Sequence, residues 1–406
     1  MIPVIFVAPR LSDNASRMVE AIGALPGVQL GVISGDTLDE ASPATRSVVV
    51  QHWRVDDVLD VSQLRYAVDQ VAAGIGGVER LFGAYEQLQV PLAAVRDAMG
   101  IPGLPVRAAL NFRDKSRMKD VLRAHRLPCA RHALVERYVD AISFAARVGF
   151  PLVVKPQAGA GAQSTYRVDD AEALAQALEM TSPSPGNPVM LEEFITGTEH
   201  SFETISIEGR AVWHSLTHYH PTPLEALRNP WIQWVVVLPR EVEHPMFDDI
   251  RDAAVEALQA LGQTTGLTHM EWFRRADGSV AISEVAARPP GAQITTLISR
   301  ANDMDFVAAW ARLMVHGEFT PPQRKYAVAA AFLRGQGSGV VRAVHGLDRV
   351  QAEVGHLVCD LKLPEVGHPP AQTYEGDGYI ILRHPETAVV ERAIRRVVEL
   401  VRVELG

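Results

Sequence analysis

Apolar positions in the first hundred residues alternate between short continuous runs and helical spacing. Residues 2–7 form an apolar run. Asn14 then stands where it can cap a helix reaching residue 25, with Gly27 beyond it, and residues 30–33 form a second run. Such alternation predicts a parallel sheet covered by helices. The Gly/Pro-rich stretch 100–105 punctuates the chain and marks a domain boundary.

Past that boundary the pattern changes. Asn111 is placed to cap a helix in which Met118, Val121, Leu122 and His125 recur at helical spacing. Residues 141–148 read as a short helix closed by Gly149. Residues 152–155 read as a buried strand, and residues 165–168 as a strand returning after a Gly-Ala-Gly-Ala-Gln-Ser loop at 159–164. Asp169 or Asp170 caps a helix over 171–180. Strands are expected at 189–195, 200–207 and 210–217, and a long helix over 248–261 with Gly262 after it. Residues 267–275 and 279–285 predict a hairpin turning on Asp277-Gly278, a strong two-residue turn signal. From residue 321 the chain reads as a small α+β tail ending in a helix over 386–400. The expected domains are therefore 1–110, 111–320 with a lid subdomain at about 126–195, and 321–406.

Several polar residues are hard to place by packing alone. Lys155 closes an apolar strand, where a cation is costly without an anionic partner. Lys115 sits in a first helical turn, where a cation opposes the helix dipole. Together they fit a phosphate clamp; separately, either could snorkel to the surface. The loop carrying Gly159, Gly161, Gln163 and Ser164 is followed by a strand rather than a helix. That argues against a dinucleotide fingerprint. It suits a hairpin lid whose backbone N–H groups close over phosphates, or else a mobile surface loop.

The predicted hairpin places Glu271 directly opposite Glu284, Cβ atoms about 4.5–5.5 Å apart. Like charges so placed repel, and a divalent cation with hard oxygen ligands, Mg²⁺, is the simplest relief. A register slip or a solvated pair is the alternative. Arg288, four residues on, can meet a phosphate or carboxylate with both arms, or form a structural salt bridge. His218 and His269 are candidate substrate-pocket residues, as is Gly291.

Composition narrows the function. The 406 residues are 47% hydrophobic and 21% charged, an ordinary globular balance, with a net charge of −9. No broad basic surface advertises nucleic acid or an anionic membrane. Cys129 and Cys359 are too few for a disulfide framework or a cysteine metal site and suit a reducing cytosol. No apolar run approaches the roughly 20 residues of a membrane helix, and the N-terminus reads as a strand. A cytoplasmic protein is expected.

In their order along the chain these features resemble the ATP-grasp superfamily. The sequence of features is Lys115, Lys155, the 159–164 loop, Glu192-Glu-Phe-Ile195, Glu199, Glu271 and Glu284-x-x-x-Arg288. Thr268-His-Met-Glu271 and Ala287-Arg-Pro-Pro-Gly291 are similar to L-amino acid ligases. The resemblance implies an ATP-grasp fold of mixed α/β and α+β class: an N-terminal parallel-sheet domain, a mobile lid and a small C-terminal α+β subdomain. It implies that Lys115 and Lys155 hold ATP phosphates under the lid residues Gly159, Gly161, Gln163 and Ser164. Backbone groups of Glu193 and Ile195 would meet the adenine, with Glu192 nearby, and Glu199 would bind the ribose. Glu271 and Glu284 would hold Mg²⁺ or Mn²⁺. Arg288, with Lys155, would carry catalysis. The implied reaction joins a carboxylate to an amine through an acyl phosphate, releasing ADP. The partners would be small molecules, with a homodimer as the default assembly.

One position departs from the family. Ala286 stands where many members have a metal-binding Asn. That keeps two alternatives open: a purine-type carboxylase and a catalytically silent ATP-binding regulator. For the carboxylase, Arg54, Arg65, Arg80 and Arg96 are scattered rather than clustered for a phosphoribosyl group.

Overall fold

The computed structural model describes residues 1–157, 165–229, 232–371 and 373–406. The predicted loop residues Gly159, Gly161, Gln163 and Ser164 lie outside the described residues.

The N-terminal region is a four-stranded parallel sheet. Ile2–Ala8 lies at its centre, between Val28–Ser34 and Arg80–Phe82, with Gln51–Arg54 at one edge. Helices cover both faces, so the central strand is apolar without alternation. The first helix is Asp13–Gly23. Its cap is Ser12, whose hydroxyl accepts from the Ala15 amide, and not Asn14.

A second cap also differs from expectation. Asn111 lies inside the helix Val106–Arg113, where its side chain donates to the Leu261 carbonyl across 3.1 Å. Asp114 caps the next helix, Lys115–Ala124, by accepting from the Ser116 and Arg117 amides at 3.0 Å each. Aspartate immediately before a helix satisfies two orphan donors. That puts Lys115 at the first helical position.

Residues His132–Val135, Val189–Glu193, Leu152–Pro156 and Tyr166–Val168 form a four-stranded antiparallel sheet in that order. The helices Tyr138–Val148 and Ala171–Thr181 close one face around Leu152, Val154 and Leu191.

The largest sheet has eight strands, all antiparallel neighbours. They run Val280–Ala286, Gly266–Arg275, Gly197–Ile207, Arg210–His220, Val235–Leu238, Ala327–Leu333, Gly378–His384, Val358–Lys362. Strands from beyond residue 320 thus extend the same sheet. The alanine-rich strand Ala327–Leu333 lets the terminal helix Thr387–Leu400 pack closely through Val390, Ile394 and Val397.

Strand alternation divides the first part of this sheet cleanly. Phe202, Leu216, Met270 and Trp272 join the core beneath the helix Asp248–Leu261. The residues between them, Glu199, Ser201, Glu203, Thr217, His269 and Glu271, are polar and point the other way. An antiparallel sheet with one apolar and one polar face is ordinary at a solvated surface. Here most of the polar face is buried, which demands partners for every group.

Candidate active site

The hairpin that carries the two facing glutamates differs from its expected form. Its loop has three residues, Ala276-Asp277-Gly278, closed by the Arg275 amide donating to the Ser279 carbonyl at 2.9 Å. Gly278 takes the left-handed conformation this turn requires, φ +84°. A one-residue bulge follows: Trp272 pairs with Ile282 but Glu271 with Glu284, leaving Ser283 extra. The longer turn and the bulge cancel, so Glu271 still faces Glu284. The bulge also turns the Ser283 carbonyl onto the Lys119 ammonium, 2.8 Å away.

Three lysines meet these carboxylates. Lys115 forms an ion pair with Glu284. Lys155 lies 2.5 Å from one oxygen of Glu192, and the fully buried Lys119 lies 2.8 Å from the other. Burial pushes the Glu192 carboxyl up, but the two lysines outweigh it and hold it at about 2. Burial likewise lowers Lys155, while Glu192, Glu284 and Glu271 hold it above the ordinary lysine range.

The Glu199 carboxyl is driven well above its usual range by burial and by the charge of Glu271. Three carboxylates, Glu199, Glu271 and Glu284, therefore influence one another here. Below Glu271 lies His269, whose Nδ1 is 2.8 Å from Glu203 and whose Nε2 is 3.7 Å from Glu271. Burial lowers this imidazole, yet both carboxylates raise it to about 9. Glu203 is fully buried and also accepts from Ser201 at 2.6 Å and Thr217 at 3.2 Å.

Arg288 sits at the end of this strand pair. Its Nε donates to Glu86 of the N-terminal region across 2.8 Å, and its Nη1 to the Pro289 carbonyl across 2.9 Å. Ala292 and Gln293, four and five residues on, adopt left-handed backbone at φ +53° and +56°. Such strain in non-glycine residues costs on the order of 1–3 kcal/mol each and clusters at functional sites.

One cavity of about 540 Å³ joins all of this. Lys115, Lys155, Glu192, Glu193, Ile195, Glu199, His269, Glu271, Glu284, Arg288 and Gly291 all line it. So does Ala286, two residues past Glu284. The volume lies within the usual range for a small-molecule site.

His218 does not belong to this group. It follows the opposite strand parity from Tyr219, which lines the cavity, and packs beneath the sheet against His200 and Phe247. Its Nδ1 lies 2.7 Å from that of His200, and burial lowers it to about 4. The residues with no sequence signal were Glu86 and Glu375, which reach the cavity from distant segments. Lys119 did carry one: it follows Lys115 by four positions and so shares its helix face.

The donor set bears on a metal. Among the described residues no group of three His, Cys, Asp or Glu side chains converges as a complete metal cage. Mg²⁺ is ordinarily held by one or two carboxylates, with substrate phosphates and water completing its shell. A facing pair of glutamates with a third carboxyl destabilised in its ionised form fits that partial set.

Residues 120–302 match the ATP-grasp domain family. The chain carries an ATP-grasp domain. The chain is 25% identical over 260 residues to an L-arginine-specific L-amino acid ligase of Bacillus subtilis, covering 61% of this chain and 62% of that protein. Among solved structures, an L-amino acid ligase from Bacillus licheniformis superposes with a TM-score of 0.80 at 19% identity, over 100% of this chain and 99% of that one. N5-carboxyaminoimidazole ribonucleotide synthetase from Thermotoga maritima gives 0.72 at 16% identity, over the whole of both chains. The matched residues contain the hairpin of Glu271 and Glu284 and the four-stranded antiparallel sheet, while Glu86, Lys115, Tyr374 and Glu375 complete the cavity wall from outside them. Among the described residues no helix is long and apolar enough to cross a membrane.

Proposed function

We propose that the protein is an ATP-dependent, ADP-forming ligase that joins a small carboxylic acid, an amino acid or similar, to an amine. The observation that carries this reading is the convergence of Lys115, Lys155, Glu199, Glu271, Glu284 and Arg288 on one cavity. In this reading Lys115 and Lys155 bind the nucleotide phosphates. The backbone of Glu193 and Ile195 meets the adenine, with Glu192 positioning Lys155, and Glu199 faces the ribose. Glu271 and Glu284 hold Mg²⁺ or Mn²⁺, which when bound neutralises charge on the outer phosphates.

The chain's residues then act on the acid. With the phosphates fixed by two lysines, a carboxylate oxygen held near Arg288 is aligned with the γ-phosphorus. Bond formation there gives an acyl phosphate and ADP. The amine attacks the acyl carbon, and the Arg288 guanidinium stabilises the oxyanion before phosphate leaves. Glu86 keeps that guanidinium in one orientation.

The test uses hydroxylamine as the amine. With the correct acid, ADP, phosphate and an acyl hydroxamate should form in equal amounts. AMP and pyrophosphate would overturn the reading. A bicarbonate-activating carboxylase is the second reading, favoured by Ala286 and by the likeness to the Thermotoga synthetase. Release of ADP that depends on bicarbonate rather than on an organic acid would select it.

A further inference from the structure

The same cavity includes a region that the chemistry above does not use. Its wall is apolar: Tyr219, Leu224, Leu227, Trp234 and Tyr374 all line it. Trp234 packs between Tyr219 and Tyr374, with ring centroids 5.4 and 4.6 Å away, and its indole N–H is bound to the Pro221 carbonyl. The ring faces are therefore fixed, and the tryptophan has no donor to spare for a ligand.

One charge stands in this apolar wall. Glu375 comes from the C-terminal part of the chain, is mostly buried and lines the same cavity. Its Oε1 accepts from the Ala292 amide at 3.2 Å. Among the described residues no cation pairs with it. Burial raises its pKa, and no cationic neighbour counters that effect. A carboxylate held in an apolar pocket without a counter-ion is costly. Arg334, whose stem lies beside Gly376, is committed elsewhere, to the carbonyls of Ala226, Asn229 and Ile232. Glu375 is also tied to the catalytic loop: Ala292 lies four residues past Arg288, and a Cβ on Gly291 would sit 3.5 Å from the same carboxylate oxygen.

We propose that Glu375 binds the ammonium group of the acyl-donor substrate, and that this substrate is an amino acid with a large apolar side chain. The inference rests on the ligase reading, in which Arg288 faces the substrate carboxyl. One loop then offers a cation to the carboxyl end and, through Ala292, a fixed anion to the ammonium. The apolar side chain lies against Tyr219, Leu224, Leu227, Trp234 and Tyr374. Glu375 is a specificity residue here: it discriminates zwitterionic acids from simple fatty or aryl acids.

The test is calorimetric titration of the full chain, with Mg²⁺ and a non-hydrolysable ATP analogue present. The probes are L-leucine and L-phenylalanine, and their counterparts without the amino group, 4-methylpentanoate and 3-phenylpropanoate. The wild type should bind the amino acids at least about tenfold more tightly, the usual worth of a charge-assisted hydrogen bond. Glu375→Gln keeps the acceptor for the Ala292 amide, so the loop should stay in place. It should lose that preference while binding the des-amino acids unchanged. Leu227→Phe, a second variant in the apolar wall, should weaken L-phenylalanine and spare L-alanine. Equal binding of amino and des-amino acids by the wild type would overturn the proposal, as would an unchanged preference in Glu375→Gln. ADP release with the same probes reports separately on the ligase reading. Ammonium-dependent binding without ADP formation rejects the ligase and keeps the subsite; ADP formation indifferent to the ammonium does the reverse.

Discussion

Replacing Lys119 by methionine isolates the ionic knot under the site. Lys119 is fully buried, with its ammonium 2.8 Å from Glu192 and 2.8 Å from the Ser283 carbonyl. Methionine keeps most of the apolar stem, so little cavity opens. The change leaves the Ser283 carbonyl without its donor, at about 1–3 kcal/mol. It also removes one of two cations from a buried carboxylate. Breaking a buried pair outright costs about 3–5 kcal/mol, but Lys155 still faces Glu192, so the lower end applies. The expected net loss is about 3 kcal/mol. Glu192→Gln should cost at least as much, because it leaves two buried lysines facing each other.

The double variant decides the matter. With Lys119 and Glu192 both neutral, the uncompensated charge is a single lysine. The two losses should fall short of adding by at least about 1 kcal/mol, well beyond the 0.3–0.5 kcal/mol typical of independent sites. Urea unfolding of the four proteins measures this. The single variant should also raise the KM for ATP, because Lys155 would be drawn wholly to Glu192 and offer less charge to a phosphate. Additive stabilities with an unchanged KM would refute the argument.

Four further outcomes follow from the same geometry. Because the Glu192 pKa is held at about 2, below the ordinary value of 4.5, its contribution is present above pH 4.5 and lost as pH falls toward 2. Urea midpoints between pH 6 and 3 should therefore fall more steeply for the wild type than for Glu192→Gln. Glu284→Gln should lower turnover by about 100-fold or more. Its stability should change by no more than about 1 kcal/mol, since it removes both a repulsion with Glu271 and an attraction to Lys115; titrating Mg²⁺ dependence and melting together checks both. Arg288→Lys keeps the charge but cannot reproduce the bonds to both Glu86 and the Pro289 carbonyl, so kcat should drop more than about tenfold with nucleotide binding retained. Gly197→Ala should destabilise by at least about 2 kcal/mol, because its Cβ would fall 2.1 Å from the Arg274 carbonyl oxygen at φ +154°, and a neutral result by urea unfolding would contradict this.

Local pattern and tertiary contact contributed differently to what could be read here. The helix Asp248–Leu261, with Gly262 in left-handed conformation after it, follows from apolar spacing and its terminal glycine. The strand ending in Lys155 and the pairing of Glu271 with Glu284 were likewise legible, because alternation allows only one face of a strand to be buried in the core. Even there the turn length was misjudged, and the pairing survived because the Ser283 bulge restored the register. The face of His218 was misread for a related reason. Its neighbours in sequence say that it alternates with Tyr219 but not which of the two meets the helix Asp248–Leu261.

By itself the sequence determined periodicities, breaks and the residue types that are costly without partners: a lysine at the end of an apolar strand, and two glutamates on facing strands. It could not determine the partners. Arg288 meets Glu86 across 202 positions, Lys119 meets the Ser283 carbonyl across 164, and Ala292 meets Glu375 across 83. Charge pairing falls off over a few ångströms and is indifferent to separation along the chain. Only the packing of the N-terminal sheet and the C-terminal strands around the eight-stranded sheet brings those groups within reach, and that packing decides which charges are compensated and which remain for a ligand.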